Sequence, residues 1–254
     1  MLLQPIQTAL LTPESTLSFS LVQDCAVEDD DIIAISAKAC AITEGATIDL
    51  SHITVTPEAE EWAERCGRTP AFRQAVLNET ERMNGAVVGS CPQAMLCELK
   101  PNGLADGSIL AVNAGLDNSN IEEGFAIGWP EDPIASVQKL RDALKSETGK
   151  RVGIIMTDSC CRPRRLGLTA MALTVCGIEP LQSQIGEKDL FGHELTMTHE
   201  AIADQLATAA NFLMGNADQS TPAVLLQDHG LPLTDFCGWV PGIEREQDLF
   251  RGLF

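Results

Sequence analysis

The sequence predicts an α/β protein of mixed sheets with packed helices. Three observations carry that prediction. Short runs rich in Ile, Val and Leu end in polar turns. Longer amphipathic runs open on a capping residue or proline and close on glycine. The two kinds of segment are interleaved along the chain rather than segregated.

Taken in order, the predicted strands are 16–23 (TLSFSLVQ), 31–37 (DIIAISA), 86–89 (AVVG), 94–99 (AMLCEL), 109–112 (ILAV), 152–157 (VGIIMT) and 222–227 (PAVLLQ). Turn residues or charge clusters bound each of them. VEDDD at 27–31 reads as a solvated turn before a strand, and LKPNGLADGS at 99–108 as a hairpin or loop. Helices are predicted at 57–66, 70–83, 133–147 and 199–214. The third has the clearest start, since Asp132 can cap it and Pro133 suits a first turn whose N–H groups are unpaired anyway. Ile134, Val137, Leu140 and Leu144 share one face, and Gly149 ends the run. In the fourth, Ile202, Leu206, Ala209, Ala210 and Leu213 lie on one side, and Gly215 stops it. Both helices are expected to pack on a sheet.

The 254 residues are 44% hydrophobic and 21% charged, enough for one large domain or two small lobes. A single domain over 1–254 is expected, with an irregular tail at 229–254 that wraps the body or meets a partner subunit. The net charge of −19 sets up a field that repels nucleic acid and anionic membranes. No stretch approaches the roughly 20 apolar residues of a membrane helix. The N-terminus has no basic region before its apolar patch, so no signal peptide and a cytoplasmic location are expected. Nine cysteines, with no CxxC pair, indicate neither a disulfide framework nor a zinc ribbon. Cys40 and Cys176 read as buried reduced thiols, and the adjacent Cys160 and Cys161 as loop packing.

TDSCCRPRRLG (157–167) is the most conspicuous stretch. It follows a buried-strand pattern and sets Asp158 and Ser159 at the strand end, with Arg162, Arg164 and Arg165 just behind. In open α/β sheets ligands gather beyond the carboxyl ends of strands. A carboxylate with a neighbouring hydroxyl is hard-oxygen ligation for magnesium or manganese, and arginines fork onto phosphate oxygens. The same residues also fit a turn with arginines paired to surface carboxylates. A second strand, ILAV, runs into NAGLDNSN and offers Asn113, Asp117, Asn118, Ser119 and Asn120, which are also ordinary turn formers. Two strand ends each bearing one carboxylate, in a chain with few basic residues, point to a shared divalent cation. Other signatures fail. There is no GxxxxGK[ST], no GxGxxG and no GxSxG. The four histidines lack metal spacing, and Cys160 stands where a haloacid-dehalogenase-like phosphatase would need its second Asp.

VNAGLDNSNIEEG, WPEDPIASVQKLRDAL, GKRVGIIMTDSCCRPRRLG and DLFGHELTMTHEAIADQLATAANFLMG, in this order and spacing, resemble the coenzyme F-420-0:L-glutamate ligase family. AKACAITEG (37–45) resembles its N-terminal motif. The resemblance spans about 30–228. It implies a gamma-glutamyl ligase-like fold, an intertwined homodimer and a GTP-dependent ligase using Mg2+ or Mn2+, with K+ as a further cation. It implies a reaction in which GTP phosphorylates a substrate carboxylate and the amine of L-glutamate displaces the phosphate. By position, Asp117 and Asp158 match the family's metal aspartates, and Ser159 the hydroxyl beside them. Arg162 and Arg165 match its phosphate-binding arginines, so the implied catalytic set is Asp158, Arg162 and Arg165. Asn113 and Asn120 are expected to shape the pocket, and Lys38 and Glu44 to bind ligand, with an ordinary surface pair as the equal reading of these two. Asp204 also matches, on a helix where it can instead cap or pair. Cys161 stands where the family tends to have Gly, Arg164 where it has Trp, and His193 where it has Arg. WPEDP, TDSCC and GIEPL resemble a branch that adds glutamate to folate-type acceptors. The acceptor is therefore a deazaflavin precursor or a folate. A non-catalytic nucleotide- or metal-binding module and a metal-dependent phosphatase are the competing functional classes.

Overall fold

The chain is described by a computed structural model over residues 1–252. It begins with β1 (Leu2–Ile6), α1 (Leu17–Val22), β2 (Ile32–Ser36), α2 (Ala37–Thr43) and β3 (Thr47–Asp49). Two helices follow, α3 (Pro57–Cys66) and α4 (Pro70–Arg82), then β4 (Ala86–Cys91), β5 (Ala94–Leu99), β6 (Ile109–Val112) and β7 (Phe125–Ile127). The second half carries α5 (Pro133–Thr148), β8 (Gly153–Cys161), β9 (Leu168–Cys176), β10 (Gln182–Ser183), β11 (His199–Glu200), α6 (Ile202–Met214), β12 (Ala223–Gln227) and β13 (Cys237–Trp239).

The principal sheet has the order β1-β12-β2-β8-β9-β13. Only β2 and β8 are parallel; all its other pairings are antiparallel. Alternate residues of its central strands feed two cores. Ile33, Ile35, Ile154, Met156 and Leu225 face α5, which buries Val137, Leu140 and Leu144 against them. Ile32, Ala34, Ile155, Val224 and Leu226 face α6, with Leu206, Ala207, Ala210 and Met214. Covering both faces is what makes these strands read as continuous apolar runs rather than alternating ones. β4, β5 and β6 form a smaller antiparallel sheet.

The predicted α/β class and most elements are found. Asp132 caps α5 through the Ala135 amide at 3.0 Å, and Gly149 ends it in the left-handed region. The 100–108 segment joins antiparallel β5 and β6 as a hairpin loop. Residues 16–23 are not a strand. Leu17 and Leu21 are spaced i, i+4 as well as alternately, and α1 buries Leu21 while Ser18 donates to Glu147 at 2.6 Å. α6 starts at Ile202, because His199–Glu200 pairs with Gln182–Ser183. The 27–31 turn is not fully solvated: Asp31 is buried, accepting from the Glu28 amide and Gln227 Nε2. Cys176 is not a free thiol but is disulfide-bonded to Cys237 across the β9–β13 pair. Nor is the 229–254 stretch wholly irregular, since it supplies β13; its last two residues lie outside the described residues. Cys160 and Cys161 stand on β8, not in a loop.

Candidate active site

The parallel pair sets up the site. β2 and β8 run side by side to the Ser36–Thr157 register, where β2 ends. Past Ser36 the chain turns at once into α2, which puts Lys38 there. Past Thr157, β8 continues paired only with β9, which places Asp158 and Ser159 beside the end of β2.

Asp117 arrives from the small sheet. After β6 the chain passes through Asn113, Ala114 and Gly115 with φ of 51°, 53° and 79°. Three successive left-handed residues turn the chain sharply, and two of them are non-glycine, a conformation that needs support from the surroundings. Arg73 supplies it. Its side chain is fully buried, and its guanidinium donates to Asn113 Oδ1 (2.9 Å), Gly67 O (2.8 Å) and Cys66 O (3.2 Å). The Met95 amide donates to the same Asn113 oxygen at 3.0 Å. Gly115 must lack a side chain, because a Cβ there would stand 2.6 Å from the Trp129 indole. The turn ends with Asp117 bonded through its backbone to Ile127.

A cavity of about 510 Å³, within the size range of small-molecule sites, is lined by Lys38, Asn113, Asp117, Asn120, Asp158 and Ser159. Its two carboxylates are electrostatically opposite. Burial would raise Asp117, but Lys38 Nζ at 2.8 Å and the Ser119 hydroxyl more than offset it and hold its carboxyl at about 2. Lys38 also donates to Ser119 O at 2.9 Å. Asp158 has no such contact. Its Oδ2 accepts from Trp129 Nε1 at 2.7 Å and its Oδ1 from the Ser159 amide at 2.8 Å. Withdrawal from solvent pushes its carboxyl up to about 6; those donors and the more distant Lys38 act the other way, and the Asp117 charge adds to the rise. A loop before β12 closes the wall: Ser159 Oγ donates to Asn216 Oδ1 at 2.8 Å, and Asn120 donates to Ala217 O at 2.8 Å.

These donors suit a hard divalent cation. Two carboxylates and a hydroxyl offer oxygen only, and the Asp158 carboxylate lacks a direct cationic partner. Among the described residues no three His, Cys, Asp or Glu side chains cluster as an all-protein cage. Magnesium characteristically uses one or two carboxylates and takes its other ligands from water and phosphate. The cavity thus offers oxygen donors for a cation, and among the described residues Lys38 is the one basic side chain in its lining.

Three predicted site residues stand elsewhere in the chain. Arg162 and Arg165 lie on the exposed turn between β8 and β9. Arg162 donates to Thr169 Oγ1 at 3.2 Å and lines a second cavity, beside Asp204. Asp204 accepts from the Ala172 amide at 2.8 Å, which makes it a brace between α6 and β9. Glu44 is exposed at the far end of α2 from Lys38 and does not line the cavity. Sequence reasoning passed over Trp129, Arg73 and Asn216. Trp129 was legible only as the first residue of WPEDP, three positions before the helix cap; its partner at Asp158 is 29 positions away.

A family model described as F420-0:Gamma-glutamyl ligase matches residues 5–228. The Coenzyme F420:L-glutamate ligase of Methanocaldococcus jannaschii is 37% identical over 231 residues, covering 91% of this chain and 88% of that protein. The protein of the same name from Methanosarcina mazei is 39% identical over 201 residues, 79% of this chain and 75% of its own. That from Methanopyrus kandleri is 35% identical over 215 residues, 85% and 81% respectively.

Proposed function

Since the chain belongs to the F420-0:gamma-glutamyl ligase family, we propose that it is a GTP-dependent ligase joining the amine of L-glutamate to a substrate carboxylate. The observation that carries this reading is the pair of carboxylates, Asp117 and Asp158, lining one cavity with Lys38 between strand ends. The acceptor is a deazaflavin coenzyme precursor, in keeping with the relatives' names.

A carboxylate is a poor electrophile, and an amine does not displace its oxygen. Transfer of the γ-phosphoryl group of GTP gives an acyl phosphate. Glutamate nitrogen then forms the C–N bond as the C–O bond to phosphate breaks, leaving GDP, phosphate and an amide. Such chemistry needs positioning and charge neutralisation more than covalent help from the protein. Asp117, Asp158 and Ser159 would hold Mg2+ or Mn2+. When bound, that cation supplies charge neutralisation and orientation for the phosphates. K+ is a further cation in this reading. Lys38, now held on Asp117 and Ser119, sits where an ammonium can turn to a phosphate oxygen. Trp129 and the Ser159 amide orient Asp158. Asn120, tied to Ala217, keeps the rim in place.

The arginines belong to this reading through a homodimer. Leu166 on the β8–β9 turn is fully exposed, and Leu190, Phe191 and Met197 are exposed on the 184–198 loop. Apolar side chains on an arm bearing Arg162 and Arg165 fit docking on a second copy, with the arginines delivered to the phosphates of the partner's cavity.

The deciding experiment is an acceptor panel with GTP, Mg2+ and labelled glutamate, read by mass spectrometry. A deazaflavin precursor gaining one or more glutamates, with GDP and phosphate released, is the expected result. Glutamate added only to folate would reassign the acceptor. Phosphate release without glutamate would indicate a phosphatase, and nucleotide binding without turnover a binding module.

A further inference from the structure

The family match stops at residue 228, yet the chain beyond it returns to the site. β13 lies at the sheet edge against β9, with Cys237 bonded to Cys176 and Trp239 in register with Thr174. Trp239 is buried, and its indole donates to Asn102 O at 3.0 Å. Its ring meets that of Trp129 at 6.1 Å between centroids, tilted by 53°. Trp129 in turn donates to Asp158 Oδ2. The strap then crosses the β5–β6 loop: the Gly242 amide donates to Asp106 O at 3.2 Å, and Glu244 accepts from the Gly107 amide at 2.8 Å. No room is left at that crossing, since a Cβ on Gly107 would meet Ile243 O at 2.5 Å.

An indole N–H fixes a carboxylate only as firmly as its own ring is fixed. One side of the Trp129 ring lies on Gly115, which has no side chain to bear on it. Another lies against Trp239. Tilted aromatic pairs at this separation attract each other beyond the effect of their buried area. Groups that orient metal-binding side chains from behind change metal affinity when removed. We infer that Trp239 is a positioning residue for Asp158, acting through Trp129, so that the C-terminal strap governs how well the cavity takes a divalent cation.

The inference rests on the proposed cation site and is tested on the full chain without substrates. Mn2+ is titrated into wild type, W239A, W239F and D158N, and free Mn2+ is followed by electron paramagnetic resonance. W239A is expected to bind Mn2+ about 3- to 10-fold more weakly. W239F, which keeps a ring against Trp129, is expected within about twofold of wild type. A merely structural role would lower the melting temperature of W239A and leave the Mn2+ affinity of the folded fraction unchanged. Should W239A not fold, W239L keeps apolar volume without a ring and is read in the same way. Wild-type affinity in W239A or W239L overturns the inference alone. Wild type and D158N that bind Mn2+ alike overturn both the cation site and the inference built on it.

Discussion

Replacing Asp158 with Asn should make the metal-free protein more stable while removing its capacity to hold a cation. The wild-type carboxyl is pushed from its ordinary 3.8 to about 6 by burial. At 1.36 kcal/mol per pKa unit, keeping it ionised at neutral pH costs about 3 kcal/mol. The sign follows from proton uptake. Between 3.8 and about 6 the folded chain holds a proton that the unfolded chain has released. Wild-type stability from this group therefore falls as pH rises through that window, and the penalty is complete above it. Asn carries no charge, but it can accept only one of the two hydrogen bonds that Trp129 and the Ser159 amide now give, a loss of about 1 kcal/mol. The net gain is about 2 kcal/mol at pH 7.5 and about 0.6 kcal/mol at pH 5, where the ionisation penalty has fallen to about 1.6 kcal/mol. Urea denaturation in the presence of a chelator measures it at both pH values. Mg2+ with GTP should then stabilise wild type and leave Asp158→Asn unchanged. A variant less stable than wild type at pH 7.5, or a gap that does not narrow at pH 5, would refute the reasoning.

Arg165→Ala should weaken GTP binding more than glutamate binding, as titration with each ligand will show. Co-expressed with Asp158→Asn, it should restore about a quarter of wild-type activity if the arginine serves the partner's cavity, since half the dimers are mixed and each has one intact site. No restoration would place Arg165 in its own subunit's chemistry. Arg73→Met removes three hydrogen bonds, two of them buried, and should cost about 2 kcal/mol of stability while weakening Mn2+ binding, because the left-handed turn before Asp117 loses its clamp; unchanged Mn2+ affinity would count against that role. Cys237→Ser opens a bridge between residues 61 apart and should cost up to about 4 kcal/mol, measured by urea denaturation with and without reductant. Identical curves under both conditions would argue against the bridge.

Asp117 and Asp158 could be picked out because a carboxylate at the polar end of an apolar run is a local pattern. What holds them is not local. Arg73 looks like one of several polar residues on an amphipathic helix, and only the folded chain shows it fully buried against Asn113. Trp129 and Trp239 are 110 positions apart and meet only because β13 returns to the sheet edge. β9 escaped notice because its small residues carry little periodic signal and its partner is the preceding strand, beyond an arginine-rich turn. Residues 16–23 were misread because so short an apolar run satisfies both a two-residue and a four-residue spacing. The arginines were legible as phosphate ligands by charge and order, but no sequence pattern tells whether a turn folds onto its own cavity or away from it.

Asp117 and Asp158 are expected to hold one cation against a triphosphate. Anomalous diffraction from crystals grown with Mn2+ and a non-hydrolysable GTP analogue tests it directly. A single strong peak is expected within about 2.3 Å of an oxygen from each carboxylate and touching a phosphate oxygen. A peak on one aspartate alone, or none between them with the nucleotide bound, would contradict it.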